Sequence, residues 1–368
     1  MESVRLRPEL RFNSQDCYVL DLRWDAESRT PESPQAAQTF EWTARLINPR
    51  GKPYEPNFWL IEMHTRLLRD VALGKVDGPE QVLLEAFFTP GRLNKWPQFV
   101  ALGRDGKLNG ETRFEQKQVT VAAASLARHG YVALFPNYWY CPALFAADDG
   151  NYVARIGNAY GGNLLLGVES PGAVLKAGIE LRHRFVYAVV AGQDTSEAAF
   201  ERIHRAYGFA GGPTYDLRLE RGVVLEKTFA LTLKADRYAV RGSLESPNLP
   251  SCLLVVMEDL CPNWDAGVFD LKTKQLRRFG TLEGRGYFTL DGRAARHFAA
   301  GNLIVCDHRE VRLHLTRNAD GWVVVAHNPT DTALETTVAV PDWLALLPAA
   351  SRKVALPPGG TVTIALTR

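Results

Sequence analysis

Short apolar runs, many of them alternating with polar residues, punctuate most of the chain. The segments "CYVLDLRW" (17–24), "TFEWTARLIN" (39–48), "FWLIEMHTRLL" (58–68), "QKQVTVAAASLA" (116–127), "YVALFP" (131–136), "YVARIG" (152–157) and "NLLLGVE" (163–169) are rich in β-branched and aromatic residues. That composition suits strands packed on at least one face. Turn chemistry separates them at Asn48-Pro49-Arg50-Gly51, Asp105-Gly106, Asp149-Gly150, Gly161-Gly162 and Pro171-Gly172. From residue 215 the pattern resumes with "YDLRLERGVVLEKTFALTLKADRYAVRGSLE", "SCLLVVMEDL", "YFTLDG", "NLIVCDH", "EVRLHLTR", "GWVVVAHN", "TALETTVAVP" and "GTVTIALTR". Short strands spaced by about 8–12 residues predict an all-β sandwich architecture.

The stretch "SPGAVLKAGIELRHRFVYAVV" (170–190) is unusual. It predicts a Pro-Gly turn, a short apolar strand, a second turn at Ala177-Gly178 and a long strand from Ile179. Glu180, Arg182 and Arg184 alternate with less polar neighbours, and then the alternation dissolves into "FVYAVV". A strand running from the rim of a sheet stack into its middle has this pattern. Helix signals are few. "GPEQVLLEAFF" (78–88) has the length for two or three turns. "SEAAFERIHRAYG" (196–208) has Ser196 as an N-cap, Phe200, Ile203 and Tyr207 on one face, and Gly208 as a stop. A lone helix between two β-rich halves acts as a connector, which divides the chain into domains over 1–210 and 211–368.

Composition adds mainly exclusions. A length of 368 residues exceeds what one core usually holds, consistent with two domains. Basic and acidic residues number 43 and 41, for a net charge of +2. That balance supplies no electrostatic reason to expect nucleic acid or an anionic membrane as partner. The five cysteines are dispersed, with no CxxC and no zinc-ligand spacing. They read as small buried hydrophobes, with a Cys252–Cys261 pairing across a bend as the less favoured alternative. No run approaches the ~20 apolar residues of a membrane span, and "MESVRLRPELRF" has no signal-like apolar segment, so a soluble chain is expected. No G-x-S-x-G elbow, H-E-x-x-H, P-loop or G-x-G-x-x-G is present, which argues against Ser-triad, zincin, kinase and dehydrogenase chemistry. No cofactor and no metal is expected.

Several groups remain as candidates for chemistry. Glu62 and His64 lie two apart on a predicted strand, so they share a face. A carboxylate beside an imidazole can take one proton and give another, unless the two simply belong to a solvated sheet face. Arg113, Glu115 and Lys117 alternate in "TRFEQKQVTV" and form either a hydrogen-bonding row or an ordinary exposed face. Tyr138, Trp139 and Tyr140, in a loop bounded by Pro136 and Pro142, are costly to leave in water. They would stack on sugar C–H faces, with Asp148 and Asp149 binding hydroxyls, or else plug an interdomain contact. The Asp-Asp-Gly is most simply a hairpin turn. Glu258, Asp259, Asp265 and Asp270 surround Trp264 without matching a defined Ca²⁺ loop. His308 and His314 stand about 20 Å apart along a strand, too far for joint ligation without a bend.

The glycine-rich "GNAYGGNLLLGVESPGAVLKAGIELRHRFVYAVV" resembles the closing strands of the galactose mutarotase-like supersandwich. "VVVAHNPTDTALETTV" followed by "LPPGGTVTIALTR" resembles the terminal β-sandwich of polysaccharide-processing proteins. The resemblance implies an antiparallel supersandwich plus a smaller C-terminal β-sandwich, joined by the short helix. It also implies a carbohydrate-related role: binding or processing an oligo- or polysaccharide, as the β-rich part of a larger lyase or hydrolase. Mutarotase-like enzymes use a carboxylate/histidine pairing, although Glu62 and His64 do not match their usual motif positions. The alternative is a non-catalytic interaction or scaffold protein whose aromatics serve a protein partner.

Overall fold

The computed structural model describes residues 3–14, 17–27, 40–49, 57–72, 82–88, 98–102, 108–109, 122–125, 130–135, 140–147, 152–157, 163–169, 174–191, 215–227, 230–245, 253–290, 296–319, 321–344 and 350–366. Every regular element among them is a β-strand. No helix among the described residues is long and apolar enough to cross a membrane. Two compact units form, one from Met1–Phe12 and Tyr18–Pro213, the other from Asn13–Cys17 and Thr214–Arg368. The connector helix expected over 196–208 lies outside the described residues.

The first unit begins with four long strands: β1 (Ser3–Asn13), β2 (Cys17–Glu27), β3 (Phe40–Pro49) and β4 (Asn57–Leu67). There follow β5 (Val71–Ala72), β6 (Val82–Phe88), β7 (Gln98–Leu102), β8 (Leu108–Asn109), β9 (Ala122–Ser125) and β10 (Tyr131–Phe135). The unit ends with β11 (Tyr140–Ala146), β12 (Tyr152–Gly157), β13 (Asn163–Glu169), β14 (Val174–Leu175) and β15 (Glu180–Ala191). One nine-stranded sheet has the order β1-β2-β3-β4-β15-β11-β10-β7-β8, and a four-stranded sheet has the order β6-β13-β12-β9. β15, the strand of mixed character, is thus the middle strand of the larger sheet. The turn before it falls at Ala177-Gly178, with Gly178 in the left-handed region at φ +84°.

Two local expectations are corrected here. Residues 82–88, expected as helix, form β6, whose Phe87 and Phe88 pair with Leu165 and Leu164 of β13. A short apolar run carries no periodicity that separates buried helix from buried strand, so the neighbouring sheet edge decides. Tyr140 sits at the start of a strand and pairs with Ala191, where a loop residue was expected. Pro142 made this segment look like a loop, yet it pairs with Val189 inside the ladder. β10 begins pairing only at Ala143, so proline's missing N–H removes no β10 contact. Pro8 is tolerated in β1 for a related reason, because β1 is an edge strand.

The second unit starts with β16 (Asp216–Arg221), β17 (Val223–Lys227), β18 (Leu231–Lys234), β19 (Ala239–Glu245) and β20 (Leu253–Glu258). Next come β21 (Ala266–Asp270), β22 (Leu276–Leu282), β23 (Arg285–Leu290), β24 (Arg296–Asn302) and β25 (Val305–Cys306). The last five are β26 (Arg312–Asn318), β27 (Gly321–His327), β28 (Leu334–Ala339), β29 (Ser351–Leu356) and β30 (Thr361–Leu366). Nine strands take the order β16-β19-β24-β21-β22-β23-β20-β18-β17. Only Gly222 separates the two edge strands, so both edges are halves of one bent strand and the sheet closes into a barrel. Gly222 holds φ +93°, and a Cβ there would meet the Val240 side chain at 2.6 Å and the Lys234 carbonyl at 2.9 Å. The bend therefore requires glycine. β22 turns the opposite corner, pairing with β21 through its first half and with β23 through its second.

Alternation along the barrel strands feeds two cores. Phe298 and Val268 point into the barrel with Leu231, Val255 and Phe288, where the Phe279 and Phe288 rings stack at 4.7 Å. Ala299 and Phe269 point outward into a second core with Trp264, Leu313, Val324, Val338, Trp343 and Leu356. That core also receives the inner faces of two three-stranded sheets, β25-β28-β29 and β26-β27-β30. The two turns quoted above from the C-terminal segment meet at buried Asn328. Its Nδ2 donates to the carbonyls of Thr332 (2.8 Å), Pro357 (3.1 Å) and Leu356 (3.3 Å), and its Oδ1 accepts from Thr330 N (3.0 Å). Gly359 N in turn donates to Thr330 O.

Candidate functional site

One face of the nine-stranded sheet changes character along its strands, and the register shows how. Leu60 stands between Ile47 and Val186, Val186 faces Phe145, and Phe145 faces Tyr131. All five are at most 1% exposed. Two residues further along, the next row on the same face is Arg45–Glu62–Arg184. The row after that is Thr43–His64–Arg182, and the outermost is Glu41–Arg66–Glu180. The face thus grades from a sealed apolar row through half-buried charges to open ones. This gradient accounts for β15: Val186 and Ala188 occupy its buried end, Glu180 and Arg182 its exposed end.

Ion pairs stitch the charged rows together. Arg45 donates through Nε to Asp21 Oδ1 (2.7 Å) and through its Nη2 to Asp21 Oδ2 (2.9 Å), a two-pronged geometry that orients both groups. Arg11 Nε reaches the same carboxylate at 3.7 Å. Glu62 Oε1 lies 3.7 Å from Arg184 Nε across the β4–β15 pair. The His64 ring is 40% exposed, and its Nε2 is turned inward against Glu180 Oε2 at 3.4 Å. Tyr152 of β12 donates its hydroxyl to the Arg184 carbonyl at 3.2 Å, which ties β12 to the strand that carries the row.

Glu62 and His64 therefore share a face, about 7 Å apart along β4, each beside a different cross-strand partner. Beside them stand the guanidinium groups of Arg45, which no sequence pattern marks, and Arg184, which the sequence marks only through the alternation of its strand. β3 and β15 lie far apart in the chain, and only register sets them beside β4.

No family model matches the chain, and no curated protein does. Among solved structures the chain is similar to a galactose mutarotase-related enzyme from Lactobacillus acidophilus, at 10% identity and a TM-score of 0.27, over 52% of this chain and 73% of that one. The overlap is slight, and the strand order above stands independently of it.

Arg113, Glu115, Tyr138, Trp139 and Asp148 lie outside the described residues, and of Tyr140 the backbone position in β11 is described. The acidic residues near Trp264 disperse to separate tasks. Glu258 pairs with Arg285 (3.1 Å) and Asp259 with Lys234 (3.3 Å). Asp270 caps a turn by accepting from the N–H groups of Lys272 and Thr273. Asp265 Oδ2 accepts from Leu315 N (2.8 Å) and lies 2.9 Å from His314 Nδ1 and 3.2 Å from Arg278. His308 Nδ1 sits 3.2 Å from Glu310, apart from His314. Among the described residues, no cluster of three or more His, Cys, Asp or Glu is placed to hold a metal ion.

Proposed function

We propose that the graded charged face of the first unit's large sheet is a binding surface for an oligo- or polysaccharide, in a mutarotase-like supersandwich that serves carbohydrate processing. The observation that carries this reading is the pair of rows Arg45–Glu62–Arg184 and Thr43–His64–Arg182 on three adjacent strands. They set donors and acceptors about 4.8 Å apart across the strands on a rigid backbone. Vicinal sugar hydroxyls donate to carboxylates and accept from guanidinium groups, so such a grid fits a pyranose ring laid across the strands. Tyr138, Trp139 and Tyr140 belong to this proposal as a stacking platform, with Arg113, Glu115 and Asp148 as further hydroxyl partners.

Within this reading Glu62 and His64 act as an acid/base pair at a sugar carbon. Their shared face lets both reach one carbon from the same side, one taking a proton while the other returns one. The test is turnover on a panel of sugars and uronic-acid polymers. Glu62→Gln and His64→Asn should each lower it by ~10²–10⁴-fold, with one limb of the pH–rate profile lost in each. Wild-type protein inert on every substrate would remove the catalytic role and leave binding. A protein-interaction role is the second reading. It draws on Val223 and Leu225, 58% and 49% exposed on β17, which present an apolar pair to solvent.

A further inference from the structure

On β3, β4 and β15 the charged face carries five basic side chains, and four have a carboxylate at hand. Arg45 has Asp21 at 2.7 Å, His64 has Glu180 at 3.4 Å, Arg184 has Glu62 at 3.7 Å and Arg66 has Glu41 at 4.0 Å. The fifth, Arg182, is exposed, and among the described residues its side chain makes no hydrogen bond or ion pair. It stands directly across from His64, which stands across from Thr43. Every acidic group of these rows is already engaged, so among the described residues an incoming ligand meets one uncompensated positive charge at the end of a hydrogen-bonding row.

We infer that Arg182 is a specificity subsite for an anionic substituent, carboxylate or sulfate, of an acidic polysaccharide whose chain crosses the strands over Thr43, His64 and Arg182. The inference rests on the carbohydrate reading of this face and adds the charge of the substrate. A guanidinium offers a planar fork of donors that matches a carboxylate or sulfate in bidentate fashion, and a neutral hydroxyl pair does not use its charge. With strands about 4.8 Å apart, Thr43 to Arg182 spans about 10 Å, room for about two sugar rings. An anionic group on one ring then lies over Arg182 while the other ring meets His64 and Thr43. A nucleic acid is the poorer fit, because a phosphate backbone requires a run of unpaired cations and these three strands provide one.

The test is affinity electrophoresis of the full chain through gels containing polygalacturonate, dextran sulfate or neutral dextran, at low and high salt, with a single-stranded oligonucleotide as a further arm. Wild type, Arg182→Gln and Arg182→Lys are compared; the exposed Arg182 side chain has no partner to lose among the described residues, so circular dichroism should find all three folded alike. At least one acidic polymer should retard wild type, less so at high salt. Arg182→Gln should weaken that retardation about 10- to 100-fold, the loss of one or two hydrogen bonds between charged groups. Arg182→Lys should recover part of it. Retardation by the carboxylate polymer alone or the sulfated polymer alone identifies the substituent. Equal retardation of wild type and Arg182→Gln, or retardation of wild type by neutral dextran alone, overturns this inference and leaves the carbohydrate reading standing. No retardation by any polysaccharide removes both, and retardation by the oligonucleotide alone replaces them.

Discussion

Replacing Asn302 with alanine tests whether one buried amide organises the junction of the second unit. Asn302 is 0% exposed at the end of β24. Its Oδ1 accepts from Cys261 N (2.9 Å), and its Nδ2 donates to the carbonyls of Cys261 and Trp264 (3.0 Å each). The Cys261 carbonyl also receives Trp264 N at 3.3 Å, so it keeps a partner when the amide is removed. Cys261 N–H and the Trp264 carbonyl lose the amide that satisfied them. At about 1–3 kcal/mol for each buried group left unsatisfied, Asn302→Ala should destabilise by about 2–6 kcal/mol. With a urea slope of about 2 kcal/mol/M, the second unit's midpoint should fall by about 1–3 M. Asn302→Asp keeps the acceptor but aims a carboxylate at two carbonyls, and should cost at least as much. Tryptophan fluorescence under urea reports the transition, because Trp264 and Trp343 are both buried in this core. A shift below about 0.5 M for both variants would refute the reasoning.

Three further outcomes follow from the packing. A double-mutant cycle on Asp21 and Arg45, a two-pronged pair 20% and 17% exposed, should give a coupling near 1–2 kcal/mol, whereas Glu41 and Arg66, over half exposed and 4.0 Å apart, should give less than about 0.5 kcal/mol; comparable values would contradict the burial gradient. Gly222→Val should cost more than about 2 kcal/mol or prevent folding, since the barrel corner has neither the space nor the φ for a Cβ; normal thermal stability would disprove the closure. Burial raises the thiol pKa values of Cys261 and Cys306, so both stay neutral in the fold at pH values where free cysteine ionises. Their stabilising contribution is complete below the unfolded thiol pKa and is lost as pH rises through the higher folded value. Iodoacetamide at pH 8 should therefore label these two slowly in native protein and fast in urea, as peptide mass spectrometry can follow.

Much of the local structure is legible in the residues. The alternating and aromatic-rich runs at 17–24, 39–48, 58–68, 131–136, 152–157 and 163–169 all contain strands, because side-chain period and β-branching act within a few residues. Two runs depart from the pattern for physical reasons: β11 holds a proline with a ladder partner on one side alone, and β6 lacks any period. β21, inside "MEDLCPNWDAGVFD", was hidden by acidic residues that cap turns and pair with arginines and lysines. Glu62 and His64 on one face of β4 follow from alternation alone.

Register and closure belong to the tertiary structure. Nothing in "LERGVVLEK" says that Gly222 joins both edges of a nine-stranded sheet, since that depends on which distant strands bond to each half. Nor does "IELRHRFVYAVV" say that, among the described residues, Arg182 is left without an ion pair while Arg184 is matched by Glu62. The chain determines which side chains share a face, because alternation is local. Which carboxylate stands opposite which guanidinium, and which charge remains for a ligand, is decided by the neighbouring strands, which for β4 and β15 come from segments more than a hundred residues apart, and a slip of one residue would exchange the two faces.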